Sequence, residues 1–527
     1  MREIITLQLG QLSNYIATHF WNAQESYFTY SAGEESPVDH DIHFRPGLGA
    51  DGTETYMPRT VIYDLKGGFG TLKRLNDLYD ISGDAGTSSL WPGQTVVHKQ
   101  QLIDASAYQQ SLDSGQAPPE LTTNTVRYWS DFNRVFYHPK SIVQLNEYEL
   151  NSTLMPFEKW HMGEELFANL DKEHDLLDRD LRPFLEEADQ MQGIQIMSGI
   201  DDAWGSFAAK YVERIRDEHG KTPVWVFGAQ EPVRGIPREK RLLKLVNKAR
   251  ALAELSSQAS LIVPLAMPEE PLPSSIQLDL SSSWHISALF AAAIESTTLC
   301  TRLKATTDHV YSSNLGRITD LLNVFGRQTI ANMEISPVEP VKQTQNGISA
   351  RGEPIASPYN DSTDDESELG SQRGTTSLEV DLSSPQDLRL DAGMRRPRKR
   401  YVFSQVQTYR GPHIEEKAKD KENVPTDRFG MRRRPKVHHY SSGLSFPILD
   451  SYPSIFRDNH GNRIKESLAM RTSISTDTSV MAKVRGLRTA VVRSIGLEDR
   501  EMIGNELAEI AEGYKEGWSS GSDDDDD

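Results

Sequence analysis

The pair of residues best suited to meet a phosphate is Gly10-Gln11. It follows the apolar run Ile4 to Leu9 and precedes Tyr15, Ile16, Ala17, Phe20 and Trp21 at helical spacing. A buried strand that turns at glycine into a helix N-terminus aims backbone N–H groups outward, where they favour an anion. Such units are common, so this geometry alone names no ligand. The pattern predicts that the helix begins at Ser13 or Asn14. Asp39-His40-Asp41 with His43 offers metal-ligand residue types. Alternate residues of an extended segment point to opposite faces, so these four read as solvent-exposed, and no metal site is expected. The single cysteine, Cys300, lies beside an alanine-rich apolar segment and reads as a core residue. The chain carries no Gly-x-Ser-x-Gly, His-Glu-x-x-His or Walker loop, and no catalytic residue is expected.

The elements around these residues alternate. Leu176, Leu177, Leu181, Phe184, Leu185 and Ala188 share a helical face, where Pro183 predicts a kink or a restarted helix. A strand at Ile194 to Met197, a helix bearing Phe207, Tyr211, Val212 and Ile215, and a strand at Val224 to Phe227 follow. That order predicts a parallel sheet with right-handed crossovers. Glu239 to Leu255 reads as a helix, Ser260 to Leu265 as a strand, and Trp284 to Leu299 as a buried helix. After Pro337 the composition turns polar. Residues 337–395 and 414–435 hold too little apolar surface to offset their ordering entropy and are expected to be disordered insertions. Between them Tyr401 to Tyr409 alternates like a strand and should join the core sheet.

The 527 residues carry a net charge of −19, which disfavours a nucleic-acid partner, because phosphate affinity comes from Lys and Arg. One cysteine allows no intrachain disulfide and no multi-cysteine zinc site, consistent with a reducing compartment. Arg2 and Glu3 lead into a strand pattern, so neither a secretory signal nor a cleavable mitochondrial presequence is expected. The longest apolar run, 288–294, is too short to span a bilayer. The dense basic runs are Arg395-Arg-Pro-Arg-Lys-Arg400 and Arg432-Arg-Arg434. They read as solvated linkers, with anionic lipid or an acidic protein tail as the alternative contact.

Several stretches resemble tubulins. At the start these are Met1-Arg2-Glu3-Ile4, Gly10-Gln11, Asn14, Ile16 and Phe20-Trp21, and then Tyr56 through Pro58-Arg59 to Asp64-Leu65. Near the other end Glu498 to Met502, Leu507, Tyr514 and Glu516, followed by the aspartates at 523–527, look like the last tubulin helix and acidic tail. Within that superfamily Val126-Arg-Tyr-Trp-Ser-Asp131, His138-Pro-Lys-Ser141, Phe446-Pro447 and Tyr452-Pro453 resemble the Misato family. The resemblance implies a tubulin-like α/β fold. Its parallel-sheet, nucleotide-type domain over 1–255 would be followed by a smaller α/β domain over 256–336 and 396–470. A C-terminal helical region over 471–518 and an acidic tail over 519–527 would complete it.

The resemblance also locates a phosphate loop. Tubulins place a Gly-Gly-Gly-Thr-Gly-Ser-Gly loop between strand and helix, and here Gln192 to Ile196 resembles the strand before it. The loop then falls at Asp201-Asp-Ala-Trp-Gly-Ser-Phe207, where only Gly205 and Ser206 match. Asp201 and Asp202 would set carboxylates against a polyanion, while Trp204 and Phe207 would crowd the backbone. Two unit charges about 4 Å apart repel by about 4 kcal/mol at an effective dielectric near 20. Lys66 stands where tubulins carry an acid and reads as an exposed loop lysine, with a phosphate contact as the alternative. The tubulin Asn-x-Asp-Leu loop falls at Asn314 to Thr319, without its Asn-x-Asp. Gly10, Gln11, Asp201, Asp202, Gly205 and Ser206 are therefore expected to form a degenerate phosphate site with no cofactor. The Misato resemblance implies a non-enzymatic factor for mitochondrial distribution and mitochondrial DNA inheritance. Its implied place is the cytoplasm and the outer mitochondrial face, and its partners are proteins such as tubulin or other cytoskeletal components. A divergent GTPase and a cofactor for tubulin or actin folding are the rival readings.

Overall fold

The computed structural model describes residues 2–29, 35–48, 54–72, 103–233, 235–268, 271–304, 312–338, 379–383, 400–412, 436–458, 460–493 and 497–515. Strand β1 (Ile4–Leu9) runs through Gly10 into α1 (Gln11–Glu25). The helix starts earlier than its apolar spacing suggests, because Gly10 takes the N-cap position with φ of 88° and leaves Gln11 free to be helical. A hairpin of β2 (Phe44–Leu48) and β3 (Glu54–Pro58) precedes β4 (Thr60–Lys66), so Tyr56 to Pro58 belong to the hairpin and the strand carrying Asp64-Leu65 begins after Arg59. Then come α2 (Ala107–Ser114), β5 (Ile142–Glu149) and α3 (Trp160–His174). A π-helical turn at Leu177–Leu181 and α4 (Arg182–Glu186) follow, with Pro183 in the first turn of α4, where its missing N–H costs nothing. Next are β6 (Gly193–Gly199), α5 (Ala203–Glu218), β7 (Val224–Ala229), α6 (Arg238–Gln258), β8 (Leu261–Leu265), α7 (Ser283–Thr298) and α8 (Leu315–Leu322).

Strands β1, β4, β5, β6, β7 and β8 form one wholly parallel sheet in the order β5-β4-β1-β6-β7-β8. Both faces are covered, and β1, β6, β7 and β8 are buried along their whole length. Helices α1 and α7 pack together on one side, and α3, α5 and α6 on the other. The chain reverses its direction of travel between β1 and β6. The carboxyl ends of these two strands frame the crevice where open α/β sheets bind ligands.

A second, mixed sheet is built from β9 (Asn332–Val338), β10 (Val380–Asp381), β11 (Val402–Arg410), β12 (Lys436–Ser442), β13 (Phe446–Pro447) and β14 (Ser467–Asp477). Its order is β10-β9-β14-β11-β12, with β13 against β14. The alternating segment at 401–409 is thus a strand, in this second sheet and not the parallel one. Strand β10 corrects the expected insertion over 337–395. Leu382 is fully buried, its N–H donates to Met333 O (2.9 Å), and its carbonyl accepts from Ala266 N (2.6 Å). Ser383 Oγ accepts from Met333 N (2.6 Å). Residues 379–383 are therefore an ordered staple, and β9 runs on to Val338. The rest of that stretch and 414–435 lie outside the described residues. Helices α9 (Ser479–Val492) and α10 (Leu497–Glu512) pack on each other and on α6.

A buried charge cluster joins the two sheets. Glu295 on α7 accepts from Arg302 (2.6 Å), from Arg410 on β11, and from the Tyr27 hydroxyl (2.9 Å), and both arginines are fully buried. The two guanidinium groups hold the Glu295 carboxyl below the usual range although burial pushes it up.

Candidate functional site

The crevice at the carboxyl ends of β1 and β6 brings the predicted residues together and fills the space between them. Trp204, in the first turn of α5, lies against Gly10. A Cβ built on Gly10 would fall 2.5 to 2.8 Å from the indole, so only glycine fits beneath the ring. The indole is almost wholly buried, with Phe157 at 5.2 Å and Phe207 at 5.6 Å between ring centroids. Apolar rings thus occupy the volume over the glycine turn.

Several donors that could face a phosphate are used internally. Asp202 caps α5 by accepting from Trp204 N (2.9 Å), and its backbone carbonyl accepts from Gly205 N (3.3 Å). Asp201 accepts from the Lys244 ammonium (3.0 Å) and from Glu231 N (3.2 Å), and Lys244 also holds Glu231 (2.9 Å). Asn247 on α6 donates to Asp201 O (3.1 Å). Burial and then the Asp201 charge raise the Asp202 pKa to about 8, and burial raises the Asp201 carboxyl as well, against the Lys244 ammonium. The two carboxylates are thus not bare: Asp201 is paired with Lys244, Asp202 caps α5, and filled volume and engaged donors add to the obstacle.

The two matching loop residues serve packing. Gly205 lets α5 approach Ile200 and Ala251, where an added Cβ would meet backbone at 3.2 Å. Ser206 is fully buried and donates to Trp160 O (2.6 Å) and Ala203 O (2.9 Å), tying α5 to α3. Gly163 of α3 sits at the same crossing, where a Cβ would lie 2.0 Å from Ala203 O.

Under the glycine turn, Asp64 is buried at the end of β4. Its carboxylate accepts from Asn14 Nδ2 (2.7 Å), Leu65 N (2.9 Å) and, with the amide turned to donate, Gln11 Nε2 (2.7 Å). Burial raises the Asp64 pKa to about 7 against these hydrogen bonds. Gln11 and Asn14 thus face inward. Lys66 ends β4 half-buried, not in an exposed loop, and its side chain makes no hydrogen bond or ion pair among the described residues.

The remaining predicted residues lie elsewhere. Asn314 caps α8 by accepting from Arg317 N (2.7 Å), and Thr319 Oγ1 accepts from Trp225 Nε1 (2.8 Å), so this segment serves its own core. The reading of Asp39 to His43 as solvent-exposed is wrong for His43, which is buried with Phe20 and Trp21 at 5.3 and 5.7 Å. His40 is half-buried and stacks on Phe28 at 3.8 Å. Burial keeps both imidazoles neutral, His40 near 4 and His43 well below its usual value. Cys300 is buried, and burial pushes its thiol up to about 12. Arg400 is not a free linker cation, because it pairs with Glu334 and with Asp477 (2.8 Å). Positions 395–399 and 432–434 lie outside the described residues. Sequence reasoning missed Lys244 as the counter-ion of Asp201 and Asp64 as the hub beneath Gly10. The i,i+4 pair Lys240 and Lys244 on a predicted helix was the signal available for the former. Among the described residues no helix is long and apolar enough to cross a membrane.

Two family models match the chain, a Misato Segment II tubulin-like domain over residues 2–114 and a tubulin domain over residues 118–303. The chain is 54% identical to Protein dml-1 of Neurospora crassa, and 47% identical to Protein DML1 of Gibberella zeae. In each case the similarity covers all of both chains. It is 34% identical to Protein dml1 of Schizosaccharomyces pombe over 63% of this chain and 72% of that one. With two tubulin-type models side by side and full-length relatives at this identity, the chain belongs to the Misato/DML1 family of tubulin-like proteins.

Proposed function

We propose that this protein is a non-enzymatic scaffold that uses a tubulin-like body, emptied of nucleotide chemistry, to support mitochondrial partitioning and inheritance of mitochondrial DNA. The observation that carries the non-enzymatic half is the Trp204 indole seated on Gly10. A phosphate needs the backbone N–H groups of both turns within hydrogen-bond reach, and the ring and Asp202 hold that ground. The mitochondrial half rests on the Misato resemblance, and the place of action proposed is the cytoplasm and the outer mitochondrial face. Attachment there runs through protein contacts or through the basic run Arg395 to Arg400, of which Arg400 is itself held in the second sheet.

The purified protein is expected to carry no stoichiometric guanine nucleotide and to hydrolyse none above background. One bound guanine nucleotide per chain would favour the divergent GTPase reading instead. Depletion should leave mitochondria clumped or unevenly partitioned, and the organelle-bound pool should be digested when protease is added to intact mitochondria. Normal partitioning after depletion, or protection from protease, would overturn the proposal. Recovery of a chaperonin with newly made tubulin would replace it with a folding-cofactor role.

A further inference from the structure

Helix α9 contains no carboxylate in Ser479-Val-Met-Ala-Lys-Val-Arg-Gly-Leu-Arg-Thr-Ala-Val-Val492, within a chain of net charge −19. Val480, Val484, Leu487 and Val491 face the core, and Lys483 reaches inward to Asn332 (2.8 Å) and Asp381 (3.5 Å). The opposite face exposes Arg485, Arg488 and Val492. Neither guanidinium makes a hydrogen bond or ion pair among the described residues. Acids gather instead on the neighbouring α10, at Asp499, Glu501, Glu506, Glu509 and Glu512. An acidic segment passing this hairpin is repelled by one helix and attracted to the other.

The two helices place such a segment within reach. Gly504 of α10 lies beside Val492 and Arg488, close to the end of α9. At the far end Tyr514 OH bonds both N and O of Ile330 (2.6 and 2.7 Å), two residues from Asn332, whose amide donates to Ser479 Oγ (2.9 Å). The chain therefore leaves α10 near the first turn of α9. Asp523 follows Lys515 by eight residues, which gives about 26 Å of extended reach. Arg488 lies nine residues along α9 from Ser479, or about 14 Å.

We propose that the aspartates at 523–527 dock on the Arg485–Arg488 face of α9, so that the chain covers its own arginine surface. The contact is intramolecular, and a tether this short supplies the tail at an effective concentration of about millimolar, which suits a weak, exchangeable ionic contact. The tail then acts as an internal competitor, and a partner reading α9 has to bring a stronger anionic segment. This holds whether or not the mitochondrial role does.

The test uses the full chain with Arg485→Lys and Arg488→Lys, which preserve the charge and supply amines. Zero-length carbodiimide coupling and mass spectrometry should then join the aspartates at 523–527 to positions 485 and 488 at low salt. The coupling should vanish near 1 M salt, where the Debye length is about 3 Å. A second measurement titrates a fluorescent peptide of residues 521–527 against the full chain. Changing all five tail aspartates to asparagine should tighten its binding about tenfold, and adding Arg485→Glu with Arg488→Glu should abolish it. Both arginines are exposed, so thermal unfolding should be unchanged in these variants. Coupling confined to other lysines, or peptide affinity indifferent to the tail or to the two arginines, would overturn the proposal.

Discussion

Replacing Trp204 with alanine separates filled volume from charge as the reason the cradle is closed. The indole is 5% exposed and packs between Phe157, Phe207 and Gly10. A tryptophan buries about 150–250 Å², and truncation of a large buried aromatic typically costs about 3–5 kcal/mol. A folded domain holds about 5–15 kcal/mol in all, so the variant should fold but unfold at clearly lower urea. It should still bind no guanine nucleotide, because Asp202 keeps the Trp204 N–H, Asp201 keeps Lys244, and Gln11 and Asn14 stay turned to Asp64. Equilibrium unfolding followed by labelled-nucleotide titration checks both halves. A loss under about 1 kcal/mol would mean that the ring is not a packed element. Micromolar nucleotide binding by Trp204→Ala would refute the argument about spent donors and leave the ring as the sole block.

Asp202→Asn keeps a capping acceptor and removes a titration. The folded pKa of about 8 stands above the unfolded 3.8, so the folded state keeps a proton that the unfolded state has lost. This group therefore lowers wild-type stability progressively as the pH rises from about 4 to about 8. The variant should gain on the wild type across that window in urea melts, and parallel curves would rule the shift out. Glu295→Gln leaves Arg302 and Arg410 buried without their anion and should cost about 3–5 kcal/mol, read as a fall in Tm. An unchanged Tm would show that the cluster is not a buried charge lock. Deleting residues 340–378 or 384–399 should leave soluble protein, whereas deleting 379–383 should lower stability by removing Leu382 and its ladder. Equal stability of the three deletions would count against the staple.

The parallel sheet was readable because its strands are buried on both faces and appear as short apolar runs, as at Ile194 to Met197 and Val224 to Phe227. Strand β10 was overlooked although Leu378, Val380 and Leu382 alternate with Glu379 and Asp381, because the run is short, sits in a polar stretch, and pairs with Ile335, Met333 and Ala266 far away in sequence. At the site, the departures from a glycine-rich loop were legible as residue types. Their consequences were not, because a carboxylate's charge depends on neighbours such as Lys244 that arrive from another helix. The two residues that match the loop, Gly205 and Ser206, are demanded by helix crossings and carry no information about a ligand.

The charge cluster around Glu295 also fixes an order of events during synthesis. Tyr27, Glu295 and Arg302 emerge from the ribosome well before Arg410, which lies 108 residues beyond Arg302. At roughly 5–20 residues per second the incomplete cluster waits for roughly 5–20 s. Over that interval Glu295 has one of its two cations, and α7 lacks the strand that covers it. Asn22 and Trp284 wait longer still, for Ser451. The amino-terminal sheet therefore lacks part of its cover while translation proceeds, and the nascent chain exposes apolar surface until its last quarter arrives. That makes this protein a candidate client of cotranslational chaperones, with its burden set by the length of polar chain between β9 and β11.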